Sequence, residues 1–403
     1  MGERMQAEQN PGETVDIDFD HTDQEFMQQP YELFQTMVEK CPVARSSRFD
    51  GFWVLSRYED VVAAARDPRT FSSAGGVTIP NFGSPVPMVP IEADPPLHSV
   101  FRKILQREFT RPRMAAFEEA IANLADELID GFVAEGTADL ATELCSPLPS
   151  IVIAQLLGFP REGWGMFREY SERMLETAKS GDLESNIEAA LEFCTYLAEA
   201  LDDRRRSPQD DMLTRVTQAE IDGRPITEDE ALGLTLLTVV AGHETTVGGI
   251  SSLLLYVARD SGLQQRLRAD PALIPKAVEE ALRMEAPIQG IARTLTEDVC
   301  MRGREMKEGD KVWLLFAAGN RDPRQFDTPE VFDVDRTGNR HLGFGDGIHR
   351  CVGAPLAQLE MRVVLEKILG RLPDYCVADE SAVQFNGGQN RMVASLPVTW
   401  KTT

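Results

Sequence analysis

Between Thr227 and Asp260 the chain runs for about 34 residues without a proline, and a helix of that length spans roughly 50 Å at 1.5 Å per residue. Thr227-Glu228-Asp229-Glu230 opens it with a capping box, in which Thr227 and Glu230 satisfy each other's backbone donors. Residues 231–242 are apolar around most of the helical circumference, which predicts burial through the middle of a domain rather than on its surface. The apolar run stops at His243 and Glu244, short of the roughly 20 residues that cross a bilayer, so no membrane partner is expected.

A buried helix this long needs other elements around it. Helical spacing over 59–66, 112–206, 274–283 and 354–369 supplies them, the second stretch being broken at Gly136, Gly158 and Gly181. Short strands are expected within 51–58, 312–316 and 392–400, and six prolines between Pro80 and Pro96 predict an irregular loop. With no repeat and no linker, the reading is a mainly α fold with small β-sheets: a flexible arm over 1–20, then one domain over 21–403.

Acidic residues outnumber basic ones 65 to 41, a net charge of −24 that disfavours nucleic acid and anionic membrane as partners. The cysteines, at 41, 145, 194, 300, 351 and 376, form no Cys-x-x-Cys pair, which argues against a zinc cage or a disulfide framework. Scattered thiols fit a reducing compartment, and the acidic first twenty residues lack the basic-then-apolar shape of a signal peptide. A cytoplasmic monomer is expected.

One cysteine stands apart. Phe344-Gly345-Asp346-Gly347-Ile348-His349-Arg350-Cys351-Val352-Gly353 sets Cys351 behind two glycines and just ahead of a helix with Pro355 in its first turn. Glycines allow a loop to press against a flat ligand, and a helix N-terminus stabilises a thiolate. Burial as a small apolar residue is the ordinary role of a lone cysteine and suits the other five. The fixed register of Phe344, three glycines and His349 resembles the haem-binding loop of cytochromes P450, FGxGxHxCxG, at every specified position.

That resemblance implies a single-domain P450 fold with the long helix crossing over haem b, and Cys351 as the proximal iron ligand. Phe344, Gly345 and Gly353 would then pack against the ligand side of the ring. By the same resemblance His98 and Arg102 meet one haem propionate, and Arg293 and His349 the other. Glu280 and Arg283, three apart on one helical face, match the family's ExxR brace. The usual third arginine is missing, because Val331 occupies its place in Pro329-Glu330-Val331-Phe332, leaving Arg336 and Arg321 as substitutes.

Within the long helix, Ala241-Gly242-His243-Glu244-Thr245 matches the family's (A/G)Gx(D/E)T motif. It implies a groove for dioxygen at Ala241 and Gly242, with Thr245 holding a water chain and Glu244 relaying protons. A plainer account of Thr245 is a hydrogen bond back to the carbonyl of Ala241. Substrate contacts are expected from Phe82, Met88, Leu237, Ile288, Gln289 and Ile291, a mostly apolar set in which Gln289 is the polar handle. Arg102, Lys103, Arg107, Arg111 and Arg113, interrupted by Glu108, make a basic cluster where the family receives an acidic ferredoxin. The implied activity is insertion of one oxygen atom from O2 into a small to medium, largely apolar substrate, with electrons from a ferredoxin and its reductase. Oxidative coupling or desaturation, and a non-catalytic haem-thiolate sensor, are the alternatives.

Overall fold

The computed structural model describes residues 17–80, 86, 88–167, 169–170, 173 and 183–402. The long helix is Glu228–Arg259, 32 residues, with the capping box formed: Thr227 Oγ1 accepts from the Glu230 amide at 3.2 Å and a Glu230 carboxylate oxygen accepts from the Thr227 amide at 2.9 Å. It is buried along most of its length, and helices Pro147–Leu157, Leu183–Arg206, Ile274–Glu285 and Ala354–Arg371 pack on it, together with strand Met392–Ser395. One hydrophobic core, reaching from Val86 to Trp400 in sequence, surrounds it. The fold is mainly α with small sheets.

The largest sheet orders its strands Val43–Ser46, Phe52–Leu55, Lys311–Leu314, Ile291–Leu295 and Phe71–Ser72, antiparallel except where Phe52–Leu55 runs parallel to Lys311–Leu314. In strand Ile291–Leu295 alternate side chains share a face, so Ile291 and Arg293 point the same way. Register places Arg293 opposite Val312.

Three expectations need adjusting. The helices predicted to end at 283 and 369 each run two residues further, to Glu285 and Arg371. The strand over 392–400 is two strands divided at Leu396, because Met392–Ser395 pairs with Gln384–Asn386 whereas Pro397–Thr399 pairs with Cys376–Val377 and Thr137–Asp139. Residues 1–16 of the expected arm lie outside the described residues, but its last part is seated: Phe19 is buried against Phe26 and Phe52, and Asp18 accepts from the Ser47 amide at 2.7 Å. Among the described residues no helix is long and apolar enough to cross a membrane.

Candidate active site

A cleft of about 1330 Å3, open mouth included, lies between the long helix and the loop before helix Ala354–Arg371. Cys351 is at one wall. Its amide donates to the Phe344 carbonyl at 2.8 Å, closing the loop, and its side chain is accessible only in the sense that it faces the cleft. Burial pushes the thiol up, while the Gly353 and Ala354 amides and the Arg102 and Arg350 charges pull it down. Gly347 is required where it stands: its φ is +68°, and a Cβ there would lie 2.1 Å from the Ala65 carbonyl oxygen. Gly353 is different, with φ −80° and a Cβ position in ordinary contact 3.9 Å from the Cys351 Sγ. What Gly353 leaves open is space beside the sulfur.

The cleft's edge gathers the four basic residues picked out in the sequence. Arg102, Arg293 and His349 line it, and His98 packs edge-on against His349 with ring centroids 4.5 Å apart. His349 Nε2 meets Ser73 Oγ at 3.0 Å. Arg102 reaches the Arg350 carbonyl, and Arg293 only its neighbour Ala292 carbonyl. Neither ring nitrogen of buried His98 has a well-formed hydrogen bond, although the Ile348 backbone raises its pKa slightly against the lowering by burial. None of the four makes a salt bridge among the described residues; Asp94, whose charge bears on His98 and Arg293, accepts from Ser72 Oγ and the Ser73 amide. Burial therefore drives Arg293 down to about 10, and burial followed by the Arg293, His98 and Arg102 charges drives His349 down to about 2. Two guanidiniums and the His349 imidazole thus face the cleft, with the His98 ring behind them, and the one acid in its lining, Asp346, is paired with Arg66.

Opposite, the long helix presents Leu237, Thr238, Ala241, Gly242, Thr245 and Thr246 to the cleft. The plainer account of Thr245 holds here, since its hydroxyl donates to the Ala241 carbonyl at 2.7 Å. Glu244 does not line the cleft. Its carboxylate accepts from Asn390 Nδ2 at 2.5 Å, and burial raises its pKa while that bond lowers it.

The family model for cytochrome P450 matches residues 180–373. A steroid C26-monooxygenase of Mycobacterium tuberculosis is 36% identical over 355 residues, covering 87% of this chain and 88% of the relative. The polyketide biosynthesis cytochrome P450 PksS of Bacillus subtilis is 33% identical over 365 residues, 87% of this chain and 90% of its own. The chain belongs to the cytochrome P450 family. A solved structure, cytochrome P450 CYP109Q5 from Chondromyces apiculatus, superposes with a TM-score of 0.87 at 32% identity, covering 96% of this chain and 99% of that one. P450s are haem-thiolate monooxygenases, so the chain is an oxidoreductase whose cofactor is haem b.

The residues present fit that cofactor. A planar, twice-carboxylated ring set against a thiol needs one sulfur wall and two groups of donors at its edge; Arg102 and Arg293, without an ion-pair partner among the described residues, have the matching charge, and both ring nitrogens of His98 are unpartnered.

The P450 brace is complete and rearranged. Glu280 and Arg283 are fully buried and bidentate at 2.8 and 2.9 Å. Arg336 is the third member, its Nε 3.1 and 3.2 Å from the two Glu280 oxygens. Val331 contributes its carbonyl, which accepts from both Arg283 and Arg336 at 3.1 Å. Arg321 is excluded from the role, being stacked over Tyr31 and bonded to the Met284 carbonyl.

Of the expected substrate contacts, Leu237, Ile288 and Ile291 line the cleft. Gln289 does not: its Nε2 donates to the Glu285 and Ala286 carbonyls at 2.7 and 2.8 Å, capping the end of helix Ile274–Glu285, so the donor half of the expected polar handle is engaged. Met88 packs against the core instead, and Pro90 and Ile91 take the wall. Phe82 lies outside the described residues. Leu105 and Phe109, three and seven residues beyond Arg102, also line the cleft, as their helical spacing could have shown. Ile153, Phe316 and Met361 come from distant segments and carry no sequence signal.

The basic cluster is smaller than its sequence. Glu108 is buried and clamps Arg215 at 2.9 Å and Arg113 at 3.3 Å, while Arg102 turns inward, leaving Lys103, Arg107 and Arg111 exposed.

Proposed function

We propose that this P450 oxidises a small to medium, largely apolar compound, with Cys351 as iron ligand, His98, Arg102, Arg293 and His349 on the propionates, and Glu244 with Thr245 handling protons. The observation that carries the reading is one cleft with a thiol on one wall, an acid and an alcohol on or just behind the other, and a basic quartet at its edge that makes no salt bridge among the described residues. When bound, haem supplies dioxygen activation, which a thiolate ligand favours by donating electron density.

The chain's own residues do the rest. Leu237, Ile288 and Ile291, with Pro90 and Ile91, give the substrate an apolar wall that excludes water. Thr245 Oγ1 donates to Ala241 and keeps its lone pairs free to accept from a water on the cleft side. Glu244, whose pKa is raised by burial, takes up a proton from outside the cleft and passes it inward at its carboxyl. Lys103 and Arg107, exposed on the helix whose Arg102 touches the cysteine loop, and Arg111, exposed at the start of the next helix, form the proposed face for an acidic ferredoxin. The steroid and polyketide names of the two relatives agree with an apolar substrate class.

A cytoplasmic, monomeric protein is the matching proposal. Cys145, Cys194, Cys300, Cys351 and Cys376 are free thiols, and among the described residues the exposed large apolar side chains, Phe49, Leu97, Met166, Leu191 and Val331, come from separate segments.

The test is spectroscopic and then catalytic. Cys351→Ser is expected to abolish the thiolate-type spectrum of the reduced carbonyl complex, and retention of that spectrum would overturn the ligand assignment. A screen of small apolar compounds for displacement of water from the iron then identifies a substrate. Turnover of it with a ferredoxin and reductase, giving an oxidised product, separates an enzyme from a sensor.

A further inference from the structure

Glu244, Gly248 and Ser251 stand at helical intervals on one face of the long helix, and one short segment is laid along that face. Val393 donates its amide to Ser251 Oγ at 3.2 Å. Gly248 lets the backbone come close, for a Cβ there would lie 2.6 Å from the Arg391 carbonyl oxygen. Asn390 is thereby delivered to Glu244, 2.5 Å from its carboxylate.

The segment is anchored on its other side as well. Asn390 bridges Ile288, the Arg391 amide donates to the Pro287 carbonyl at 2.7 Å, and the Gln289 amide donates to the Gln389 carbonyl at 2.8 Å. Arg391 is buried and held by Glu285 at 3.1 Å, with the Met27 carbonyl and the Tyr31 hydroxyl also accepting from it. Asn390 is a fixed donor, and Ile288, its bridge partner, lines the cleft.

We propose that Asn390 is the positioning residue for Glu244: its side-chain amide holds the carboxylate behind the helix, at the place where it collects a proton, rather than inside the cleft. This rests on the reading of Glu244 as a proton carrier. An amide N–H stabilises the ionised carboxylate more than the acid, so protonation of Glu244 weakens the tether and eases the turning of the carboxyl. Other charges near Glu244 are accounted for among the described residues. Tyr170 faces it and is itself raised by burial; His243 is turned toward the Ser146 backbone; the Arg391 charge is engaged by Glu285.

The test uses the haem-loaded enzyme and the variants Asn390→Ala, Asn390→Ser and Glu244→Gln. Infrared absorption follows the protonated Glu244 carboxyl, identified as the band that Glu244→Gln removes. Asn390→Ala is expected to raise its midpoint by about one pH unit, a tenfold gain in proton affinity, and Asn390→Ser, which keeps a donor, to raise it less. The second readout is the fraction of reductant recovered as peroxide by the substrate-free enzyme, with spinach ferredoxin and its reductase as electron source. Its pH profile is expected to move with the infrared midpoint. An unmoved midpoint, or an unmoved peroxide profile in Asn390→Ala when Glu244→Gln does move it, overturns the positioning role alone. A profile indifferent to Glu244→Gln overturns the proton-carrier reading and takes the positioning role with it.

Discussion

Two of the groups of buried charge in this P450, the brace and the cleft edge, are solved in opposite ways. In the brace, Glu280 is enclosed by Arg283, Arg336, the Asn339 amide and the Asp333 backbone amide, so the charges close on one another. At the cleft edge, Arg293 and Arg102 are buried or half-buried with carbonyl contacts only, beside two imidazoles held down by burial. A buried charge that is paired within the chain serves the fold. One left unpaired and facing a cleft has its partner elsewhere.

The brace is where breaking a pair should cost most. Glu280→Ala would leave two guanidiniums buried without an anion, an expected loss of about 3–5 kcal/mol in urea unfolding. Arg336→Ala should cost less, because Arg283 still holds Glu280. Equal losses would mean that Arg336 and not Arg283 carries the pair.

Arg293→Met sharpens the other half of the comparison. Removing an uncompensated buried cation should leave the haem-free chain no less stable, yet lose a charge-assisted bond of about 1.5–3 kcal/mol to the proposed propionate. Haem transfer to an acceptor protein would then be roughly 10- to 150-fold faster. A transfer rate that stays put removes Arg293 from the propionate site.

How far each region could be read in advance follows the same division. Glu280 and Arg283 are three residues apart, so their pairing is local and visible; Arg336 joins them across 56 residues, and only the folded chain distinguishes it from Arg321. The gathering of the basic quartet is legible through resemblance, although it comes from three distant segments, because each segment is matched separately, His98 and Arg102 together. Gln289 is hard to place from sequence, since a side chain near a helix end has a competing use, closing the last carbonyls, that a residue list does not reveal. The loop residues failed for want of periodicity: nothing in the run from Met88 to Ile91 says which side chain turns inward.

His243 provides a control that is neither brace nor cofactor edge. Burial drives it down to about 4, so the unfolded chain takes up a proton near pH 6.5 that the folded chain refuses until about pH 4. Its contribution is complete above about pH 6.5 and is lost as the pH falls through that window, on the order of 3 kcal/mol in all. His243→Gln should flatten the dependence of unfolding free energy on pH by up to one proton between pH 6.5 and 4. An unchanged slope would show that the imidazole is protonated in the folded chain, and that burial alone does not set the charges in this core.

The smallest effect belongs to the position that departs from the family pattern. Val331 is 54% exposed and gives the brace only its backbone carbonyl, which any residue other than one that distorts the turn can supply. Val331→Ala should therefore change stability by no more than about 0.5 kcal/mol, the ordinary scale of a surface substitution. A larger loss in thermal or urea unfolding would mean that the valine side chain steers the carbonyl. A negligible one makes the third arm of the brace portable: the guanidinium can arrive from Arg336, five residues later, so long as the backbone at 331 still closes the ring of acceptors around Arg283.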